Sequence, residues 1–284
     1  MTIVVTGATG HLGRLTIDHL LARGVAASDI VAAGRNTERL AELAANGVRT
    51  ATIDFDEPAT LDAAFAGADT VVLVSSSEPG RRAPQHSNAI DAAVRAGVTH
   101  FVYTSAPKAT TSALVLAPDH KATEEAIAVS GLPATILRNN WYNENYGATF
   151  AQAAASGVYA ASTGEGRVAS AARTDYAEAI AAVVTTEGHI GAVYELSGDT
   201  AWNGTEFAAA ASDALGREIV FQPLTADEES AALTAAGLDA GTVGFVVALN
   251  QNIADGTLAE TSGELNRLIG HPTTTLVDYF RTQV

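Results

Sequence analysis

The chain has 284 residues, 47% of them hydrophobic, with 16 Lys and Arg against 32 Asp and Glu. With 17% of it charged, so apolar a chain is not disordered, and its length allows one large domain or two coupled ones. A formal charge of −16 and an absence of Cys argue against general binding to nucleic-acid backbones and exclude disulfides, thiolate zinc sites and cysteine nucleophiles.

Read in chain order, short β-branched runs at 3–6, 30–33, 49–54, 70–74, 101–104 and 134–137 alternate with stretches of helical period at 12–23, 37–45, 58–65, 84–96 and 122–130. Gly24, Gly47, Gly67, Gly97 and Gly131 each follow a predicted helix, where a left-handed cap is favoured. This alternation predicts an α/β fold: a doubly wound parallel sheet of the Rossmann type with right-handed crossovers. After about residue 138 the rhythm changes. Helices are expected at 145–155, 174–186, 203–215, 225–236 and 242–254, with extended pieces at 158–160, 193–196 and 219–222, the second of which could return to the main sheet. The expected division is therefore 1–138 plus about 174–196 as the sheet domain, and about 139–173 plus 197–284 as a smaller C-terminal substrate lobe. A ligand cleft is expected between the two. No apolar run approaches the ~18 residues of a membrane span. The opening residues lack a basic segment and a long apolar stretch, so neither membrane association nor a secretory signal is expected, and a cytoplasmic location is. The seven histidines are scattered without ligand-like spacing, so no metal site is expected.

The chemistry begins at the end of the first strand, where Val4-Val5-Thr6 runs into Gly7-Ala8-Thr9-Gly10-His11-Leu12-Gly13. In a strand–turn–helix context the first glycine serves a tight turn, the second lets the backbone approach a pyrophosphate, and the third lets the helix sit close to the strand. The helix N-terminus then offers unpaired N–H groups to the anion. At the end of the second strand an NAD site carries Asp or Glu, whereas this chain has Arg35, which can pair with the 2′-phosphate of NADP. NADPH is therefore the expected cofactor. Asp54 and Phe55 close the third strand and could border the adenine, and Ser75, Ser76 and Ser77 close the fourth, where small residues admit the middle of the coenzyme. The Tyr-x-x-x-Lys proton donor of ordinary short-chain dehydrogenases is missing: the two lysines are Lys108 and Lys121, and Tyr103 precedes Lys108 by five. This counts against an alcohol dehydrogenase and favours an acceptor, such as a quinone, whose added charge is delocalised over a ring.

The sequence resembles the NmrA-like branch of atypical short-chain dehydrogenases, and within it the bacterial NADPH-dependent quinone reductases. The matching stretches are Thr6-Gly7-Ala8-Thr9-Gly10, Ser75-Ser76-Ser77-Glu78 continuing to Arg82-Ala83-Pro84-Gln85-His86, Tyr103-Thr104-Ser105, and Leu137-Arg138-Asn139 with Trp141-Tyr142 and Glu144-Asn145-Tyr146. Val193-Tyr194-Glu195-Leu196 and Ile269-Gly270-His271-Pro272-Thr273-Thr274-Thr275-Leu276 extend the match over almost the whole chain. The resemblance implies NADPH along Gly7, Gly10, Gly13, Arg35 and the serine triplet, its nicotinamide near Asn139, Asn140, Trp141, Tyr142, Asn143 and Glu144, and a flavin-free hydride transfer to a small quinone. Asn140 departs from the glycine of the quinone reductases. His120 stands where many relatives carry Lys and could donate a proton near neutral pH, or simply begin a helix. Trp141, Tyr142 and Tyr146 offer a stacking surface or ordinary core packing. His86 could touch the substrate, and Arg173, at a helix start, could face the cofactor. Related readings within the branch are reduction of triphenylmethane-type dyes and non-catalytic NADP sensing through a protein partner. The protein is expected as a monomer or homodimer.

Overall fold

The computed structural model describes residues 1–76, 78 and 80–284, so the Ser77 expectation lies outside the described residues. The chain divides into two compact units, the first comprising Met1–Thr110, Leu116–Asn139 and Arg173–Glu195, the second Thr111–Val115, Asn140–Ala172 and Leu196–Val284. Thr111–Val115, expected with the sheet, goes with the second unit.

In the first unit β1 (Ile3–Val5), α1 (His11–Ala22), β2 (Ile30–Gly34), α2 (Thr37–Ala45), β3 (Arg49–Thr52), α3 (Pro58–Phe65), β4 (Thr70–Leu73), α4 (Arg82–Ala96), β5 (His100–Ser105), α5 (Ala117–Ser130) and β6 (Ala134–Asn139) alternate as the pattern predicts. With β8 (Val193–Leu196) they form a seven-stranded sheet ordered β3-β2-β1-β4-β5-β6-β8. The pairs from β3 to β6 are parallel. On the far side of β6, the Ile136 N–H donates to Ala192 O at 3.0 Å and the Asn140 N–H to Leu196 O at 2.8 Å, so this pairing advances in the same sense. The central strands β1, β2 and β4 are wholly buried, which their unbroken Val, Ile and Ala runs require when helices cover both faces. The edge strand β3, reading Arg-Thr-Ala-Thr, keeps polar side chains in water. It stops two residues short of the expected end because Asp54 turns back on itself, its carboxylate accepting from the Asp56 N–H at 3.0 Å. The helix α5 begins five residues earlier than its pattern suggested, with Pro118 in its first turn, a position where proline's missing N–H costs nothing.

One core cluster joins Val4, Val31, Val71, Leu73, Phe101 and Tyr103 of the strands to Leu61, Phe65, Ile90 and Ile127 of the helices. Against α1 packs α7 (Arg173–Thr185). The two are pinned by His19 Nε2 to Thr174 Oγ1 at 2.8 Å and by an Arg23–Glu178 ion pair at 3.8 Å.

The second unit holds α6 (Gly147–Ser156), β7 (Val158–Ala161), α8 (Gly204–Leu215), β9 (Val220–Pro223), α9 (Ala226–Ala235), α10 (Ala240–Ala254), α11 (Glu264–Ile269) and α12 (Leu276–Arg281). Here β7 and β9 pair in parallel, with Val158 opposite Val220. Its core is aromatic: Phe150 stacks on Phe280 at 4.3 Å, and Phe207 lies 4.0 Å from Tyr159 and 5.0 Å from Phe280 between ring centres. No helix among the described residues is long and apolar enough to cross a membrane.

Candidate active site

The strand order reverses between β1 and β4, and parallel sheets bind ligands outside the carboxyl ends of their strands at such a point. There the first unit opens a cleft of about 380 Å³ lined by Gly7, Thr9, Gly10, His11, Leu12, Gly13, Gly34, Arg35, Ile53, Phe55, Val74, Ser75, Ser76, Glu78 and Arg173. Gly7 takes a φ of +62°, a conformation that side chains resist, and so turns the chain out of β1. A Cβ on Gly13 would stand 2.4 Å from the Gly7 carbonyl oxygen, so only glycine lets α1 start this close to the strand. No side chain caps α1 and its first turn carries no acidic residue. The amides of that turn, with no intrahelical acceptor, therefore face the cleft with the positive end of the helix dipole. Ala8 contributes backbone only: it is buried, and its N–H donates to Ala33 O at 3.0 Å.

Arg35 follows β2 at the cleft rim, its side chain 63% exposed, and its Nη1 donates to Glu78 Oε1 at 3.0 Å. From the first turn of α2, Arg39 Nη1 donates to Thr9 O at 2.8 Å and braces the glycine turn. Phe55 and Ile53 line the cleft beside them. Asp54, expected at the adenine, is absent from the lining, because its carboxylate closes the turn described above.

Beneath Ser75 and Ser76 the cleft rests on buried polar groups. The Ser75 N–H donates to Thr104 Oγ1 at 2.9 Å and the Ser76 N–H to His86 Nε2 at 3.0 Å, while Arg82 Nε donates to Ser76 O at 2.6 Å. Both backbone groups of Ser76 are thus clamped by side chains of α4. His86 is fully buried, and its Nδ1 lies 2.9 Å from Thr123 Oγ1. With Nε2 accepting from an amide, the neutral ring carries its proton on Nδ1 and donates to Thr123. The substrate contact expected of His86 is therefore corrected: both ring nitrogens are engaged, and the ring holds the backbone after β4. His120, expected as a proton donor, is not part of the cleft lining. It is buried on α5 with Nδ1 2.8 Å from the Tyr103 hydroxyl.

Burial first, then the charges of His120 and Arg82, bring the His86 pKa down to about 3. Burial and Arg82 do the same to His120, also to about 3. Neither ring is an imidazolium near neutral pH. Burial also pushes the Tyr103 hydroxyl well above its ordinary value. In the unfolded chain both histidines take up protons below their ordinary 6.5 while the folded rings stay neutral, so stability falls as pH drops from about 6.5 toward 3. Each ring contributes up to ~1.4 kcal/mol per pH unit across that window. His86→Gln and His120→Gln should each flatten the loss of urea stability between neutral pH and the acid limb. A slope unchanged in both variants would place its source elsewhere.

In the second unit the residues expected around the nicotinamide have divided roles. Asn140 is buried, donating from Nδ2 to Leu258 O at 3.2 Å and accepting the Trp141 N–H at 2.7 Å. Asn143 is buried, accepting from Ser170 Oγ at 2.6 Å and donating to Thr274 O at 3.0 Å. Both amides are spent on holding the chain together. Tyr146, expected at the substrate, is a core residue, its ring edge-on to Trp202 at 4.8 Å and to Phe207 at 5.7 Å. Burial drives its hydroxyl pKa well above the ordinary value. Trp141, Tyr142 and Glu144 remain half-buried. In the first unit Asn139 is buried at the end of β6. Among the described residues no group of three or more His, Asp or Glu is placed to hold a metal ion.

Sequence reasoning missed Gly34, Ile53, Val74 and Glu78 in the lining, and Arg82 and Thr104 beneath it. Gly34, the last residue of β2, sits against the first turn: a Cβ there would meet the Thr9 side chain at 2.9 Å. Glu78 carried no sequence signal, since its partner Arg35 lies 43 residues away.

The chain's similarities agree with this geometry. The profile of the NAD(P)H-binding family matches residues 7–187. The chain is 44% identical to quinone oxidoreductase 2 of Escherichia coli (strain K12) over 276 residues, 97% of this chain and 96% of that protein. The crystal structure of the E. coli NADPH-dependent quinone oxidoreductase QOR2 complexed with NADPH superposes with a TM-score of 0.95 at 43% identity, covering 99% of both chains. The Citrobacter sp. triphenylmethane reductase complexed with NADP(H) gives a TM-score of 0.95 at 35% identity over the full length of both. The glycine cradle at the strand-order reversal, the arginine after β2 and these full-length similarities make the chain a member of the NAD(P)H-binding family.

Proposed function

We propose that this protein is an NADPH-dependent, flavin-free reductase of small quinones, working in the cytoplasm. The reading is carried by the first-unit cleft, which fits a 2′-phosphorylated dinucleotide in a chain similar along 97% of its length to a quinone oxidoreductase. The uncapped start of α1 and the close approach enforced by Gly13 suit a pyrophosphate, and Arg35 suits the 2′-phosphate. The buried Ser76 Oγ, without a hydrogen-bond partner among the described residues, suits a polar group entering above it. Bound NADPH supplies the hydride that converts quinone to hydroquinone. The chain's own part is to hold the reactants in register, worth up to ~7–11 kcal/mol of the barrier. His11, Leu12 and Arg173 complete the coenzyme's surroundings in this reading. No side-chain acid is required, since charge spreads over the quinone ring and the proton comes from water. The neutral His120 and the reluctant Tyr103 hydroxyl accord with that.

A second reading, reduction of cationic triphenylmethane dyes, draws on the similarity to the Citrobacter enzyme and on the charge of −16, which attracts cations. Mixing the protein and NADPH with benzoquinones, cationic dyes and aldehydes separates the readings through loss of the reduced-nicotinamide absorbance. Consumption is expected with quinones; a rate no higher than in buffer for every quinone removes the proposal, and tight binding without turnover points to sensing. Arg35→Asp should raise the NADPH KM by roughly 10- to 100-fold, the loss of one charge-assisted contact of about 1.5–3 kcal/mol, with little change for NADH. An unchanged ratio of kcat/KM for the two coenzymes would sink the 2′-phosphate assignment.

A further inference from the structure

Arg35 does not wait alone at the cleft rim. Glu78 Oε1 accepts its Nη1 at 3.0 Å, while Glu78 Oε2 accepts from Arg81 Nη1 at 3.1 Å and from Gln85 Nε2 at 3.3 Å. Arg81 is anchored in turn, donating from Nη2 to Asp56 Oδ2 at 2.7 Å. The two carboxylate oxygens of Glu78 thus do different work: one faces the guanidinium suited to a 2′-phosphate, the other is tied to α4 and the residue before it. Releasing Arg35 leaves Glu78 paired, so the exchange strands no charge.

We propose that Glu78 is a specificity-determining residue that competes with the coenzyme's 2′-substituent for Arg35. The inference rests on the reading of Arg35 as the 2′-phosphate ligand. A 2′-phosphate, carrying about −1.5 to −2 charge near neutral pH, takes the guanidinium from a single carboxylate. The pair it displaces is solvent-exposed on the arginine side, and such pairs contribute only about 0.2–1 kcal/mol. A 2′-hydroxyl has no charge to win Arg35, but it is a donor, and Glu78 is the acceptor of the kind that NAD sites place beside the ribose. Arg35 and Glu78 together therefore read the 2′-position from both sides, the cation favouring phosphate and the carboxylate favouring hydroxyl. The carboxylate narrows a preference that Arg35 alone would make steeper.

The test is calorimetric titration of NADP+ and of NAD+ into the full chain at low salt, with no quinone present, for wild type, Glu78→Gln, Glu78→Asp, Arg35→Ala and the double variant Arg35→Ala/Glu78→Gln. Glu78→Gln should tighten NADP+ about 1.4- to fivefold, the span an exposed pair corresponds to, and should leave NAD+ the same or weaker. Glu78→Asp, which keeps the charge, should stay near wild type. In the Arg35→Ala background the gain for NADP+ should vanish. NADP+ binding that is unchanged or weaker in Glu78→Gln, or equal tightening of both coenzymes, overturns the role of Glu78 while leaving the Arg35 assignment standing. Wild-type affinity for NADP+ in Arg35→Ala overturns both.

Discussion

Gly13→Val should abolish coenzyme binding and cost the fold about 1–3 kcal/mol, the usual range for forcing extra atoms into packed backbone. The first carbon of the new side chain would sit 2.4 Å from Gly7 O, 2.7 Å from Gly7 C and 2.9 Å from Ala8 N. All three are backbone atoms of the turn itself, so no side chain can swing aside and the start of α1 must lift from β1. The amides that suit the pyrophosphate move with it. Gly10→Ala provides the contrast. Its Cβ would be 3.2 Å from Gly7 O, tight but nearly accommodated, so that variant should lose NADP+ affinity with a melting temperature close to wild type. Coenzyme titration and thermal melting of the two variants together check the assignment. NADPH binding at wild-type strength in Gly13→Val would show that the turn does not touch the coenzyme.

The largest expected stability change lies at Arg138, on β6. Its Nε and Nη2 donate to the two carboxylate oxygens of Glu124 at 2.9 and 2.6 Å, and its Nη1 donates to Glu195 Oε1 at 2.8 Å. Glu124 is 8% exposed and also accepts from Ser105 Oγ at 2.6 Å. The bonds to Glu124, joined by those to Glu195, hold the guanidinium pKa above its already high value against the opposing effect of burial. Arg138→Met should destabilise the protein by about 3–5 kcal/mol in urea unfolding, because it leaves a buried carboxylate uncompensated. Arg138→Met combined with Glu124→Leu should recover much of that loss, since an apolar pair can replace a buried ion pair at little net cost. If the double variant is as unstable as the sum of the singles, the damage comes from lost packing rather than from the stranded charge.

The sheet of the first unit was legible because its strands are β-branched runs buried on both faces and its helices stop at glycine. Gly97 and Gly131 do take left-handed conformations after α4 and α5. Strand 193–196 was readable as an element that could return to the main sheet, and it does so beside β6. The short α11 and α12 were not expected from their periodicity, since six residues make under two turns. Thr275-Leu276-Val277-Asp278 nevertheless held a cap signal, and the Thr275 side chain does accept the Asp278 N–H. At the site, residues of the first turn could be read off because the glycine spacing is local. His86, His120 and Tyr146 could not, because whether a polar or aromatic side chain faces a cleft or a core depends on partners such as Ser76, Tyr103 and Trp202, which belong to other elements and meet it only in the fold.

The order in which the chain visits its two units has a consequence for how the molecule is made. The polypeptide leaves the first unit and re-enters it twice, so α7 and β8 arrive only after Asn140–Ala172 has been laid down elsewhere. Until Val193–Leu196 emerges during synthesis, the outer edge of β6 has no strand to pair with and α1 lacks the helix that covers it. A fragment cut at residue 139 would keep the whole glycine turn yet expose a raw sheet margin, an invitation to aggregate. The nucleotide-binding unit is thus a unit of architecture but not of continuous sequence: it cannot be excised as one stretch and grafted onto another partner.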